Sequence, residues 1–287
     1  ALNTFTQKGD KVMIQPPVYG PFHWLNTRGD RTLVTNPLKL VDGMYRMDME
    51  AFRRDVKGCK VFILCNPHNP GGVVWTEEEL KEVAEICYEE GVLVFSDEIH
   101  ADLTLPPHKH RPFAMVSEKA RMNSVTFMSP SKAFNMPGLT ASHALIFNPK
   151  LRRKFHTYLE SSELDLGHVF AFLAVEAAYS HGTEWLDQCL AYIQGNIDYV
   201  DEFTKQHTPK IKVIRPQASF LVWLDCREMG LSQDALNDFF VDKAHLALNN
   251  GVAFGEEGEG FMRLNVASPR SVLEQAMKQL ADAYVVL

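Results

Sequence analysis

The sequence predicts an α/β fold in two parts. A large domain, residues 1–200, is built on a mostly parallel sheet with helices on both faces, and a smaller α+β domain follows, residues 201–287. Three observations carry this. Runs such as residues 61–65 and 92–95 are apolar without alternation, the pattern of strands buried on both faces. Helical patterns separate these runs, the alternation that makes neighbouring strands parallel. Near residue 200 the order changes to a β pair, a helix, a strand and a closing helix.

Taken in order, residues 1–10 read as the end of a helix closed by Gly9 in the left-handed conformation. The element is entered part-way, so residues are expected before Ala1. Residues 11–15 form a short strand stopped by Pro16-Pro17, and residues 49–56 have a weak helical spacing. The strand at 61–65 ends on Asn66-Pro67. Thr76 and Glu79 make a capping box. It opens a helix that turns Leu80, Val83, Ala84 and Cys87 inward and ends near Glu90, with Gly91 as its cap. Strands follow at 92–95, 125–128 and 142–147, then helices over 170–178 and 185–203. Residues 212–214 and 219–224 form the β pair. Ser232 caps a helix ending near Asn249-Asn250-Gly251, and residues 262–266 are a strand. Ser268 as N-cap with Pro269 at the first helical position opens the last helix.

With 46% hydrophobic residues among 287, the chain can bury a large core. A net charge of -7 argues against nucleic acid or an anionic membrane surface as partner. No apolar run approaches the roughly 20 residues of a membrane helix. Cysteines 59, 65, 87, 189 and 226 are odd in number, scattered and mostly inside apolar runs. They read as free thiols of a reducing compartment, so a cytoplasmic protein is expected.

Ligands of open α/β sheets bind at the carboxyl ends of strands. Here three strands end in chemically useful residues: Asn66 to Gly72 after one, Ser96-Asp97-Glu98-Ile99-His100 after the next, and Ser129-Pro130-Ser131-Lys132 after a third. A turn lysine, a helix-capping aspartate or an Asn-Pro-Gly turn is ordinary alone. An amine, a carboxylate and an amide at three strand ends look like one site. They suit pyridoxal 5′-phosphate (PLP), which needs a lysine amine, a carboxylate on its pyridine nitrogen and donors around its phosphate. His108-Lys109-His110 has no third ligand near it, so no metal is expected there and the segment reads as a solvated or entrance loop. Residues 256–259 read as solvated loop, and the helical Met and Phe positions as core.

The ordered motifs "NPHNPGG", "SDEIHADL", "SPSKAFNMPGL" and "GFMRLNVASPR" resemble those of the class I/II aminotransferase-fold PLP enzymes. "SDEIH" and "SKAFN" are most similar to the cystathionine β-lyase branch, the MalY/PatB-type C–S lyases. The resemblance covers nearly the whole chain. It implies the aspartate aminotransferase-like fold, fold type I, working as a homodimer with PLP. It implies that Lys132 is the Schiff-base lysine and proton shuttle, Asp97 the carboxylate on the pyridine nitrogen, and Asn69 and His100 the partners of the ring oxygen. Ser129 and Ser131 would serve the phosphate, Tyr19 would lie on the ring, and Arg263 would grip the substrate α-carboxylate. A buried strand cation is costly unless paired, which favours that last role.

Two positions depart from the commoner transaminase pattern. His100 stands where many aminotransferases carry tyrosine, and Thr140 stands where many carry a phosphate-binding arginine. Both favour a β-lyase acting on a small sulfur-containing amino acid, cystathionine or a cysteine S-conjugate. An aminotransferase shares every step up to loss of the Cα proton. A catalytically weak regulatory or binding protein on the same fold is the alternative of another class. Ser219 and Phe220 are expected on the substrate side.

Overall fold

The structure, a computed structural model, describes residues 1–286. A six-stranded sheet organises the first half, in the order β2-β1-β5-β6-β7-β8. Its strands are β1 (Lys11–Ile14), β2 (Thr32–Thr35), β5 (Val61–Cys65), β6 (Leu93–Asp97), β7 (Ser124–Met128) and β8 (His143–Leu145). Strands β3 (Lys39–Val41) and β4 (Met44–Arg46) form a separate antiparallel hairpin. All neighbours in the large sheet run parallel except β7 and β8. Hence β1, β5, β6 and β7 deliver their carboxyl ends to one edge. The register sets Cys65 beside Asp97 and Asp97 beside Phe127, roughly 5 Å from strand to strand.

Both faces of this sheet are covered, as its unbroken apolar strands require. On β5, Phe62 and Leu64 join a cluster with Trp75, Leu80, Val83 and Ile86. Val61 and Ile63 point the other way, to Val12, Ile14 and Phe95. The helix Glu77–Glu89 carries its capping box complete: Thr76 accepts from the Glu79 N–H, and Glu79 accepts from the Thr76 N–H.

A second, antiparallel sheet has the order β11-β12-β10-β9, with β9 (Lys212–Ile214), β10 (Leu221–Asp225), β11 (Asn249–Asn250) and β12 (Phe261–Asn265). The helix Thr183–His207 lays Ile193, Ile197 and Val200 against Val222, Leu224, Met262 and Leu264 of that sheet. The closing helix Arg270–Tyr284 adds Leu273, Met277 and Leu280. Among the described residues, no helix is long and apolar enough to cross a membrane.

Several local expectations change. The first helix, Leu2–Phe5, ends before Gly9. Gly9 keeps its positive φ of 85° in the turn before β1, where its N–H bonds the Asp30 carbonyl. The helix capped by Ser232 runs only over Gln233–Asp238, tightly continued by a π-type turn to Lys243. Asn249 and Asn250 instead form an edge strand, because their backbone pairs with β12. At the last helix Pro269, not Ser268, occupies the N-cap. Phe170 and Phe172, expected in the core, are 65% and 62% exposed on the helix Val169–His181. That helix is apolar nearly all round, so spacing could not single out a buried face.

Candidate active site

The edge where the parallel strands end holds a cavity of about 240 Å³. Tyr19, Asn69, Asp97, His100, Lys132 and Arg263 all line it, six residues spread over 245 positions of sequence brought to one space. Each arrives for a structural reason. Tyr19 follows β1 after the Pro16-Pro17 stop, and Asn69 follows β5. Asp97 is the last residue of β6, and Lys132 sits in the turn after β7. Arg263 comes from the other sheet. Its place on β12, paired with Trp223 on one side and Asn249 on the other, points it back at the first sheet.

Among the described residues Arg263 has no carboxylate partner, only amides and a ring face. Its Nη1 donates to Asn69 Oδ1 at 2.9 Å and its Nη2 to Asn249 Oδ1 at 2.7 Å. The Phe254 ring lies under its guanidinium at 4.6 Å. Its Nε is buried without a hydrogen-bond partner. Desolvation brings its pKa down to about 10, only partly offset by Tyr19, the other charged influence on it. A guanidinium held by two amides and a ring face, with no carboxylate, is prepared for an incoming anion. The bond from Arg263 also fixes the Asn69 amide: Oδ1 is taken, so its NH₂ is the end left for a ligand oxygen.

Asp97 is enclosed in depth yet opens onto the cavity. Burial pushes its carboxyl up to about 6; the Ile99 N–H (3.2 Å) works against this shift, neighbouring Glu98 adds to it and Lys132 opposes it. A carboxylate so desolvated gains from a cationic ring N–H. Burial, with Lys132 and Arg263, brings His100 down to about 3, so its imidazole is neutral. Its Nδ1 is buried without a partner, and its ring meets Phe220 edge-on at 6.2 Å. Tyr19 is 41% exposed, a flat ring on the cavity rim.

The two serines are not in this cavity. Ser129 lines an adjoining space of about 480 Å³ that shares Asp97 and Ile99 with it, and Ser131 lines a third space on the far side of Lys132. Ser129 Oγ donates to the Ala141 carbonyl (2.5 Å) and accepts from the Ser131 N–H (3.1 Å). Thr140 is exposed at φ 49°. Phe220 lines the cavity as expected, but Ser219 is buried behind it, at φ 81° and with its hydroxyl unpartnered. His110 is not solvated. It is turned inward, its side chain 10% exposed, against Glu98 at 2.7 Å, and no metal-binding cluster occurs among the described residues. Sequence reasoning missed Cys65 and Asn265 in the walls, and Asn249 and Phe254 around Arg263. The Asn249-Asn250-Gly251 turn signal was visible but read as a helix end.

The set fits PLP. It offers an amine, a carboxylate suited to a ring N–H, a free amide NH₂, a flat aromatic ring and a guanidinium edge. The class I and II aminotransferase family model matches residues 1–280. The chain is 42% identical over 285 residues to "Cystathionine beta-lyase PatB" of Bacillus subtilis (strain 168), covering 99% of this chain and 74% of that protein. It is 34% identical over 286 residues to "Protein MalY" of Escherichia coli (strain K12), covering 98% and 72%. The solved structure of cystalysin from Treponema denticola, which contains a pyridoxal 5′-phosphate cofactor, is similar with a TM-score of 0.95 at 32% identity, over 99% of this chain and 73% of that one. The expected α/β architecture of fold type I is thus borne out, and the chain belongs to the class I and II aminotransferase family.

Proposed function

We propose that this chain is a PLP-dependent carbon–sulfur β-lyase that splits cystathionine or another cysteine S-conjugate into a thiol, pyruvate and ammonia. The observation that carries the proposal is one small cavity holding an anion-seeking guanidinium, Arg263, opposite an amine and a desolvated carboxylate. The names of the similar proteins support the lyase over the transaminase.

Bound PLP supplies an electrophilic carbon for the substrate amine and a protonated ring that takes up the electron pair left at the substrate Cα. The protein residues do the rest. Lys132 Nζ would hold the cofactor and, as a free amine, would take the substrate Cα proton. Asp97 would accept the ring N–H, and the Asn69 NH₂ and the neutral His100 would serve the ring oxygen. Tyr19 would cover the ring face. Ser129 and Ser131, in the spaces that adjoin the cavity, would serve the phosphate. Arg263 holds the α-carboxylate with its two-pronged edge, which fixes the Cα–H bond toward Lys132. The Cα–H and Cβ–S bonds break, sulfur leaves as thiolate, and hydrolysis of the remaining fragment gives pyruvate and ammonia.

The test is to incubate the full chain with PLP and L-cystathionine and to measure pyruvate and free thiol, with and without an added keto acid. Pyruvate without an acceptor is the expected result. Product only with an acceptor makes it an aminotransferase. No PLP absorption band and no turnover leave the fold with a binding role. Lys132→Ala should lower turnover by at least about 10³-fold; retained turnover would overturn the site assignment. We also place the protein in the cytoplasm as a homodimer. Its five cysteines are free, which supports the first, and an exposed apolar helix supports the second.

A further inference from the structure

Directly behind the site lies a buried polar knot that the reaction does not use. Along β6 the side chains alternate, so Asp97 faces the cavity while Ser96 and Glu98 face the other side. The Glu98 side chain is wholly buried. Three donors converge on it: Ser96 Oγ at 2.8 Å and the Phe113 N–H at 2.9 Å on Oε1, and His110 Nε2 at 2.7 Å on Oε2. The same proline-rich segment is tied to the neighbouring strand, where Asn66 Nδ2 donates to the Arg111 carbonyl at 3.1 Å. The backbone on either side of Asp97 is pinned as well. The Asn66 N–H bonds the Asp97 carbonyl (2.9 Å), and the Glu98 N–H bonds the Phe127 carbonyl (2.8 Å).

Packing alone does not call for a glutamate here. A buried charge is costly, and apolar side chains in place of Glu98 and its side-chain partners together could fill the space as stably. What an acceptor-only carboxylate offers is the ability to gather three donors at one point. Those donors belong to the strand itself and to residues 110–113, so the knot clamps the strand-to-turn junction at the residue next to Asp97. Because a carboxylate oxygen only accepts, the His110 nitrogen bonded to it, Nε2, carries the proton, and Nδ1 is buried and unpartnered.

We propose that Glu98 and His110 are a positioning pair for Asp97: by locking the end of β6 to residues 110–113 they aim the Asp97 carboxylate, and so set how strongly the site selects a ligand whose ring nitrogen can be protonated. This rests on the reading of the cavity as a PLP site. It concerns neither the lysine nor the carboxylate grip, so it can fail while that reading stands.

The experiment compares binding of PLP with binding of 1-deazapyridoxal 5′-phosphate, in which the ring nitrogen is replaced by C–H. The cofactor-free full chain is titrated with each at pH 8, where Asp97 is ionised. The wild-type chain should prefer PLP, and Asp97→Ala should abolish that preference. Glu98→Ala and His110→Ala should each cut the preference by roughly tenfold, the scale of one misaligned charged hydrogen bond. They should change affinity for the deaza analogue by less than about threefold. Glu98→Gln keeps the shape and the acceptor for Ser96 and Phe113 and, with the His110 proton moved to Nδ1, its NH₂ can donate to Nε2, so it should restore the preference to within about threefold of wild type. Equal weakening of both ligands would mean a general loss of structure and would overturn the proposal. So would an unchanged preference in the alanine variants, or a Gln variant as poor as the Ala variant. A wild-type chain that binds PLP without any preference sinks this inference alone. One that binds neither ligand sinks the cofactor reading with it.

Discussion

Asp97 shows how the site trades stability for chemistry. Its carboxyl is pushed up from an ordinary 3.8 to about 6, chiefly by burial. Between those values the folded chain keeps a proton that the unfolded chain has released. Its contribution to stability is therefore fully present below about pH 4 and is lost as pH rises through 6, to the extent of up to about 3 kcal/mol. Asp97→Asn should accordingly raise the melting temperature of the cofactor-free chain at pH 8 and leave it nearly unchanged at pH 4. Equal effects at both pH values would refute this. Arg263 makes the second prediction at this scale. Arg263→Lys keeps a charge but loses the planar fork and the fit to Asn69, Asn249 and the Phe254 face. Steady-state kinetics should show KM rising about 10–100-fold with kcat less affected. Tyr19, Asn69, Asp97 and Lys132 were legible in the sequence because each follows an apolar run that a parallel sheet must end at one edge, whereas Arg263, inside a strand of the other sheet, was legible only through its motif. Glu98 and His110 were not. Their bond joins residues twelve positions apart, and no periodicity marks which histidine of His108-Lys109-His110 folds inward.

Elements were legible in proportion to how much local chemistry specified them. The strand at Val61–Cys65 was readable to the residue, because all five side chains are buried and Asn66-Pro67 stops it. The helix Glu77–Glu89 was readable because its cap is written in Thr76 and Glu79. In contrast β2, the β3–β4 hairpin and the helix Pro21–Thr27 left no clear signal. They are short, partly exposed and mixed in polarity, so tertiary pairing rather than pattern creates them. The cap gives a prediction confined to its element. Thr76→Ala removes the acceptor for the Glu79 N–H and should cost about 1 kcal/mol. A urea melt should show that loss with unchanged PLP affinity, since the helix packs on the sheet face away from residues 97 and 132. A loss of PLP affinity in step with the stability would mean that the helix braces the site.

For the whole molecule, the helix Val169–His181 poses a question the core does not answer. Only Ala171 on it is buried, while Leu164, Leu166, Val169, Phe170, Phe172 and Leu173 are each more than half exposed around its first turns. A contiguous apolar surface of this kind is covered in solution or drives aggregation. A second copy of the chain is the simplest cover, because like surfaces meet across a two-fold axis without needing charge complementarity. Tyr179, on the same helix, reaches Asp102 at 3.4 Å and packs edge-on against Phe134, two residues beyond Lys132. Covering the helix would thus also steady the lysine loop. Phe170→Asp combined with Phe172→Asp should shift the sedimentation mass from twice the chain mass to one, since two desolvated carboxylates at such a contact are prohibitive. PLP affinity should fall in the same variant. A wild-type chain that sediments as a monomer, or a double variant that remains a dimer, would exclude this helix as the contact.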